Sequence, residues 1–386
     1  MDRADRSRVA EVGCLFARLG LTAFGGPAAH VAMMRREVVE QRGWVDDQEF
    51  LDLVGATNLI PGPNSTELAI HLGARRAGAR GLVVAGVAFI LPAAVIVTGL
   101  AWLYSEYGRS AAFVDLSYGV LPVVMAIIGQ ALWGLARTAI KTLALGTTTA
   151  AVMALYLVGV NELLLLAAGA FGGILVSAWR AKPPGGSTAL LGALLVAPGG
   201  LGVLVARART TVDPELARLF FVFLKIGSVL YGSGYVLLAF LQRDLVQHLG
   251  WVTKQELLDA VAIGQITPGP VFTTATFLGF QVSGLPGAVV ATVGIFLPSF
   301  VFVALLTRIV GWARNTPWVR PALDGVNAAS LGLMAGVTLV LARAAFPDVI
   351  TVGIGIAAVL VLVRWNPSTV WLLGVGAAIG AFKLVA

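Results

Sequence analysis

The chain has 386 residues, of which 58% are hydrophobic and 12% charged, with a mean hydropathy of +0.88; an ordinary soluble domain is about half apolar and about a quarter charged. That balance places the chain in a lipid bilayer and leaves no extramembrane segment long enough to bury a core of its own. The formal net charge of +7 does not point to nucleic acid, because the basic residues are scattered singly and in twos and threes between apolar runs, as membrane topology requires.

In chain order, the amino-terminal MDRADRSRVAEVG mixes acids with bases and has no small-residue cleavage site, so it reads as a retained cytoplasmic tail. Six apolar segments follow, at about 9–34, 51–73, 81–105, 117–138, 141–160 and 162–180. A seventh, 188–206, lies between breaker and charge signals, the Pro183-Pro184-Gly185-Gly186 run before it and Arg207 to Arg218 after it. Six more occupy about 216–240, 256–280, 285–308, 322–345, 347–364 and 367–385. Cys14 is the one cysteine, which excludes a disulfide framework, and His30, His71 and His248 have no metal-ligand spacing. No metal and no cofactor is expected.

The second set repeats the first. A shift of 207 places Gly20 on Gly227, Arg36 on Arg243, Trp44 on Trp251 and Pro61 on Pro268, and 11 of the 21 positions from Gly43 to Pro63 are identical under it. Past the Pro-Gly-Pro the shift becomes 206, so Gly73 meets Gly279 and Pro92 meets Pro298. An odd number of crossings between the copies turns the second upside down, the plan of many secondary transporters. The expected fold is therefore an all-α polytopic membrane protein of two inverted homologous repeats with interrupted or re-entrant helices. Its parts are a first repeat at 1–187, a linking helix and loop at 188–215, and a second repeat at 216–386. With 13 crossings and the amino terminus inside, 16 Lys and Arg fall on the cytoplasmic side and nine opposite, as the positive-inside rule asks. Folding the first two segments of each half into re-entrant hairpins leaves a similar bias and the same inversion.

Those first two segments are each broken near the middle, at Phe24-Gly25-Gly26-Pro27, Pro61-Gly62-Pro63, Tyr231-Gly232-Ser233-Gly234 and Pro268-Gly269-Pro270. Proline is harmless only at the first position of a helix, so one half-helix ends and another begins at each break. A half-helix amino terminus inside the membrane offers unpaired N–H groups and the positive end of a dipole, an anion site. Asn64, Ser65 and Thr66 stand beside the second break, Thr267, Thr273 and Thr274 around the fourth, and Ser233 in the third. The bland alternative is that the breaks only kink helices for packing; four breaks at matching places in two repeats favour a transport site.

Two cations lie inside apolar segments, Arg18 and its repeat mate Lys225, each seven residues before a glycine break. They are expected to neutralise a dianion at the midplane, or else to snorkel to the interface. His30 is a further source of charge when protonated, or an interfacial histidine. Glu49 with Glu256 and Asp52 with Asp259 repeat as acids at a helix start, where they complement the dipole. Glu67, whose mate at the same shift is Thr274, is read as a proton-coupling carboxylate or a hydrogen-bonded structural acid.

Phe24-Gly-Gly-Pro-Ala-Ala-His30, Arg36 to Gly43-Trp44, and Leu59-Ile-Pro-Gly-Pro-Asn-Ser-Thr-Glu-Leu-Ala69 resemble the signature of the chromate ion transporter family. The whole chain is similar to its long, two-domain members, which carry a degenerate second copy. Here that copy has Gly234 for Pro27, Leu237 for His30 and Val271-Phe272 for Asn64-Ser65, so the first half is expected to dominate binding. The resemblance implies a multi-pass protein of the bacterial inner membrane, amino terminus cytoplasmic and carboxy terminus periplasmic, which exports chromate on a membrane gradient. It implies no enzyme activity, and no P-loop is present. The expected partners are chromate or a similar oxyanion, the lipid bilayer and a second copy in a homodimer, with no nucleic acid. The expected substrate-binding residues are Arg18, Gly25, Gly26, Pro27, His30, Pro61, Gly62, Pro63, Asn64, Ser65, Thr66, Lys225, Pro268, Gly269, Pro270, Thr273 and Thr274, with Glu67 for coupling. Sulfate or another oxyanion on the same scaffold, a passive anion channel, and an intramembrane enzyme acting on a lipid phosphate are the alternatives.

Overall fold

A computed structural model describes residues 3–24, 26–108, 110–180, 214–231, 236–316, 318–365 and 367–385. The apolar stretch 188–206, Gly25 and the third break at 232–234 lie outside the described residues. The first half comprises α1 (Arg3–Thr22), α2 (Gly26–Arg35) running into a π-helical stretch Arg36–Gln41, α3 (Asp47–Thr57), α4 (Asn64–Tyr107), α5 (Ala111–Ala139), α6 (Leu143–Leu157) and α7 (Glu162–Arg180). The second repeats that order as α8 (Pro214–Val229), α9 (Leu237–Leu241) with a π-helical stretch Gln242–His248, α10 (Lys254–Ile266), α11 (Thr274–Asn315) after a 3-10 turn Val271–Thr273, α12 (Val319–Ala345), α13 (Val349–Trp365) and α14 (Thr369–Val385).

Two of the helix starts are capped at matching places. Asp46 caps α3 by accepting from the Glu49 amide, and Thr253 and Glu256 form a reciprocal capping box on α10. Glu49 also holds Arg75 in an ion pair.

Although α4 is one helix by its hydrogen bonds, it is two rods. Gly78 has φ +61, in the left-handed region that glycine reaches without a Cβ clash. A Cβ on Gly86 would lie 2.8 Å from Ile70, although 16 residues of straight helix would separate them by about 24 Å. The chain therefore folds back on itself at Ala77-Gly78, with Gly73 and Gly81 in backbone contact across the fold. Ser283-Gly284 does the same in α11, with nearly identical dihedrals and a matching Gly279 and Gly287 contact.

This reversal decides between crossing and re-entry. Glu11 near the start of α1 accepts hydrogen bonds from Trp44 Nε1 at 3.1 Å and Arg76 Nη2 at 2.7 Å. Both ends of the α1/α2 hairpin, and the fold at 77–78 that ends the hairpin of α3 with residues 64–76, thus share one face. Both hairpins re-enter, with their breaks at the tips, and only the rod from 79 to 107 continues to the opposite face.

Contacts between the halves confirm the inversion. The α5/α6 turn meets the start of α12 through Lys141 and Asp324 at 2.7 Å. On the other face, the α6/α7 turn meets the second half's first hairpin through Glu162 and Arg243 at 2.9 Å. Near the start of α5 on that same face, Tyr118 donates to Asp348 in the α12/α13 turn at 2.7 Å. Hydrogen bonds from the Thr351 amide and from Tyr118 hold the Asp348 carboxyl below its ordinary range.

Lipid-facing surface repeats as well. Val83, Val87, Leu91 and Val95 form an exposed row at i, i+4 spacing on α4, and Val289, Val293, Leu297 and Val301 form its copy on α11. The halves are interlocked: α5 packs on α13 and α14 of the second half, while α12 packs on α6 and α7 of the first. Gly119 against Gly376 and Gly380, and Gly325 against Gly169 and Gly173, let the backbones touch.

With Cys14 replaced by serine, single cysteines at Arg76 and Arg320 should react with an impermeant maleimide from one side of the membrane, and cysteines at Lys254 and Asp348 from the other. Labelling of Arg76 and Arg320 from opposite sides would rule out the inverted arrangement.

Candidate functional site

The hairpin tips of the two halves are tied by backbone. The Gly62 N–H donates to Leu230 O at 2.8 Å, and the Gly269 N–H donates to Ala23 O at 2.9 Å. Gly62 and Gly269 are repeat mates, as are Ala23 and Leu230, so the two bonds are one contact used twice. Each Pro-Gly-Pro tip thereby meets the first hairpin of the other half.

Side chains around the two Pro-Gly-Pro tips differ. In the second half, Thr267, Thr273 and Thr274 donate their hydroxyls to the carbonyls of Ile263, Pro270 and Val271. Their donor capacity is spent within their own turns, and Pro268, Gly269 and Pro270 are buried. In the first half, α4 begins at Asn64 after Pro63, so the amides of Asn64 and Ser65 have no intrahelical acceptor. Asn64 Nδ2 donates to Asn58 Oδ1 at 2.6 Å, and Thr66 Oγ1 is buried without a hydrogen-bond partner among the described residues.

Beside this first tip is a cavity of about 410 Å³ lined by Asn58, Asn64, Thr138, Lys141, Tyr231 and Asn327, with Ser330 behind them. Its mouth carries the Lys141 and Asp324 ion pair and lies on the face that holds Arg75, Arg76 and the α1 start. The lining is rich in amide and hydroxyl donors and has one cation, a set suited to an oxyanion. Of these residues, the sequence reading reached only Asn64 as a site. Asn327 and Ser330 carry a signal, two small polar residues i, i+3 in the apolar stretch of α12, and Lys141 is one of the 16 basic residues assigned to the cytoplasmic side by the charge count.

Glu67 is fully buried one turn into α4. Its Oε1 accepts from Ser299 Oγ on α11 at 3.4 Å, and its Oε2 has no hydrogen-bond partner among the described residues. A Cβ on Gly62 would collide with Oε1, so the carboxyl sits against the break itself. With the shift of 206 that holds past the break, the mate of Glu67 is Thr273, not Thr274, and the mate of Ser299 is Ala93.

Arg18 and Lys225 do not line the cavity. Arg18 pairs with Glu37 and Lys225 with Asp244, both acids on the returning arm of the same hairpin. Glu37 and Asp244 are themselves repeat mates at a shift of 207. The symmetric cations therefore have symmetric anions, and each pair clasps a hairpin. Gly26 and Pro27 open α2, and His30 Nε2 donates to Ala23 O at 3.0 Å, with its ring edge-on to Phe89. Ala23 O thus receives both His30 and Gly269, and the histidine braces the tip. Gly25 lies outside the described residues.

Two inverted repeats whose re-entrant tips meet inside a bilayer, beside a donor-lined cavity, define a membrane protein of the transporter class. The chain belongs to the chromate transporter family, whose profile matches it twice, at residues 10–174 and 217–381. It is 32% identical over 372 residues to a chromate transport protein of Cupriavidus metallidurans, covering 94% of this chain and 90% of that one. It is 32% identical over 351 residues to a chromate transport protein of Pseudomonas aeruginosa, covering 89% and 84%. An uncharacterized transporter of Methanocaldococcus jannaschii is 24% identical over 345 residues, covering 88% and 86%. No solved structure matches the chain.

Proposed function

We propose that this protein is a secondary transporter that exports chromate across the bacterial inner membrane, with the amino terminus in the cytoplasm and the carboxy terminus in the periplasm. The observation that carries the reading is the cavity of Asn58, Asn64, Asn327 and Lys141, which ends against the Pro61-Gly62-Pro63 tip. It opens on the face rich in basic residues, the cytoplasmic one by the positive-inside rule. A tetrahedral dianion there meets amide donors, the start of α4 and its dipole, and the Lys141 ammonium once that group leaves Asp324. The names of the relatives support chromate as the cargo. Sulfate has the same charge and shape and is its natural competitor.

In this reading Glu67 is the coupling carboxylate. It is buried against the tip, and one of its oxygens has no hydrogen-bond partner among the described residues. Loss or gain of its proton changes the charge beside the anion directly. Arg18, Lys225, His30 and Gly269 act at one remove, holding the hairpins and their tips in register.

Chromate flux measured in proteoliposomes under imposed pH and voltage gradients, with sulfate as competitor, tests the proposal. Pro63→Ala should lower the initial rate more than Pro270→Ala, because only the first tip faces the cavity. Equal losses would count against a site built by the first half.

A further inference from the structure

Asp52 and Asp259 are repeat mates, yet they meet different surroundings. Asp52 is exposed, whereas Asp259 is 4% exposed and lines a cavity of about 510 Å³ on the opposite face, with Tyr104, Ser117, Gln255 and Thr351. One wall of this second cavity is the repeat mate of a wall of the first. Under the shift of 206, Thr138 becomes Ala344, Ala139 becomes Ala345, Lys141 becomes Pro347 and Asn327 becomes Leu121. At these positions the second cavity has no counterpart of the Lys141 ammonium or the Asn327 amide, and its lining carries the carboxyls of Asp259 and Glu256, a setting that disfavours an anion.

We infer that this cavity is the port through which the coupling proton enters, and that Asp259 is its acceptor; the inference rests on the transport reading given above. Three hydrogens are aimed at the carboxylate. Tyr104 donates to Oδ2 at 2.8 Å, and Gln255 and Ser117 donate to Oδ1 at 3.3 and 3.5 Å. Three neutral donors ring the carboxylate and leave it a lone pair for one more hydrogen. No basic side chain among the described residues forms an ion pair with Asp259. The buried acids Glu162 and Asp244 each have one, in Arg243 and Lys225.

The ionisable neighbours are otherwise engaged. Tyr104 comes from α4, fixed edge-on by Phe113 and Phe277. Tyr118 comes from α5 and is bonded to Asp348 across the far wall. Glu256 lies on the same helix and is committed to Thr253. The charge of Asp259 is therefore met by neutral donors and changes only when a proton arrives. Hydronium on that face gives its proton to Oδ1, the less tightly held oxygen; an O–H bond forms there, one breaks in hydronium, and water is left behind. Return of the proton reverses the step.

Infrared difference spectra of the full-length protein in lipid vesicles, taken through a pH titration without cargo, test the port. A carboxylic C=O band should vanish in Asp259→Asn. Its midpoint should move in Tyr104→Phe, because an O–H donor bonds a carboxylate more strongly than the neutral acid. Under a pH gradient, Asp259→Asn should also lose the acceleration of chromate flux that the wild type shows. An unchanged band in Asp259→Asn, an unmoved midpoint in Tyr104→Phe, or a band that responds to sodium at fixed pH would overturn the port. Wild type that shows the titrating band and moves no chromate would overturn the transport reading and keep Asp259 as a proton site.

Discussion

Replacing Arg243 with methionine should be among the most damaging single changes outside the tips. Arg243 reaches from the second half to Glu162 at 2.9 Å and to Val160 O at 2.5 Å, and Glu162 is 2% exposed. Removing the cation strands a buried carboxylate, which costs about 3–5 kcal/mol. Lys141→Met breaks the pair with Asp324 on the other face, but both partners there are partly solvated and the cost should stay below about 1 kcal/mol. Thermal unfolding in detergent, followed by the loss of monodisperse protein, should show a large fall for Arg243→Met and little for Lys141→Met. Adding Glu162→Gln to Arg243→Met should restore much of the loss by removing the stranded charge. If the double variant is no more stable than Arg243→Met alone, Glu162 is not held as a charge and the assignment fails.

The second large effect is expected at Gly62. Its φ of +138 is one that side chains rarely adopt, and a Cβ there would collide with Glu67 Oε1 and lie 2.9 Å from Ser299 Oγ. Backbone strain alone costs about 1–3 kcal/mol, and relief would move either the carboxyl or the Gly62 N–H that bonds Leu230 O. Gly62→Ala should therefore abolish chromate flux in vesicles even where the protein inserts. Gly269→Ala also meets an unfavourable φ, +92, but its Cβ would face Ala93 at 2.8 Å and Gly20 O at 3.1 Å, with no carboxyl in the way. It should keep a measurable rate. Flux through Gly62→Ala at the wild-type rate would mean that the tip and Glu67 are not in the transport path.

Much of the architecture was legible because it is written twice. The 207 shift exposed the repeat, the odd spacer implied its inversion, and proline and glycine marked the four breaks. Crossing and re-entry stood as alternatives in the sequence, since a hydropathy run reads the same whether a helix continues or folds back. That reversal hangs on Gly78 and Gly284, each in the short link between two apolar segments, where a glycine does not by itself say that the chain turns back. The fate of Arg18 and Lys225 was hidden for a related reason. Their partners, Glu37 and Asp244, are 19 residues further on in each copy, and only the hairpin geometry brings them close. Asp259 read as a solvated acid at a helix start, which is what Asp52 is; its burial comes from Tyr104 and Ser117 of the other half, and no local pattern in α10 announces them.

The two bonds that tie the tips involve main-chain atoms alone. An N–H and a carbonyl are supplied by almost any residue, so the joint made no demand on which side chains surrounded it. The second copy, with Val271, Phe272 and Leu237 at a shift of 207 from Asn64, Ser65 and His30 and no acid in place of Glu67, has the same backbone contact with its partner. A cargo site built by one copy, as proposed above, asks for no change in that joint, and the same fold serves both halves.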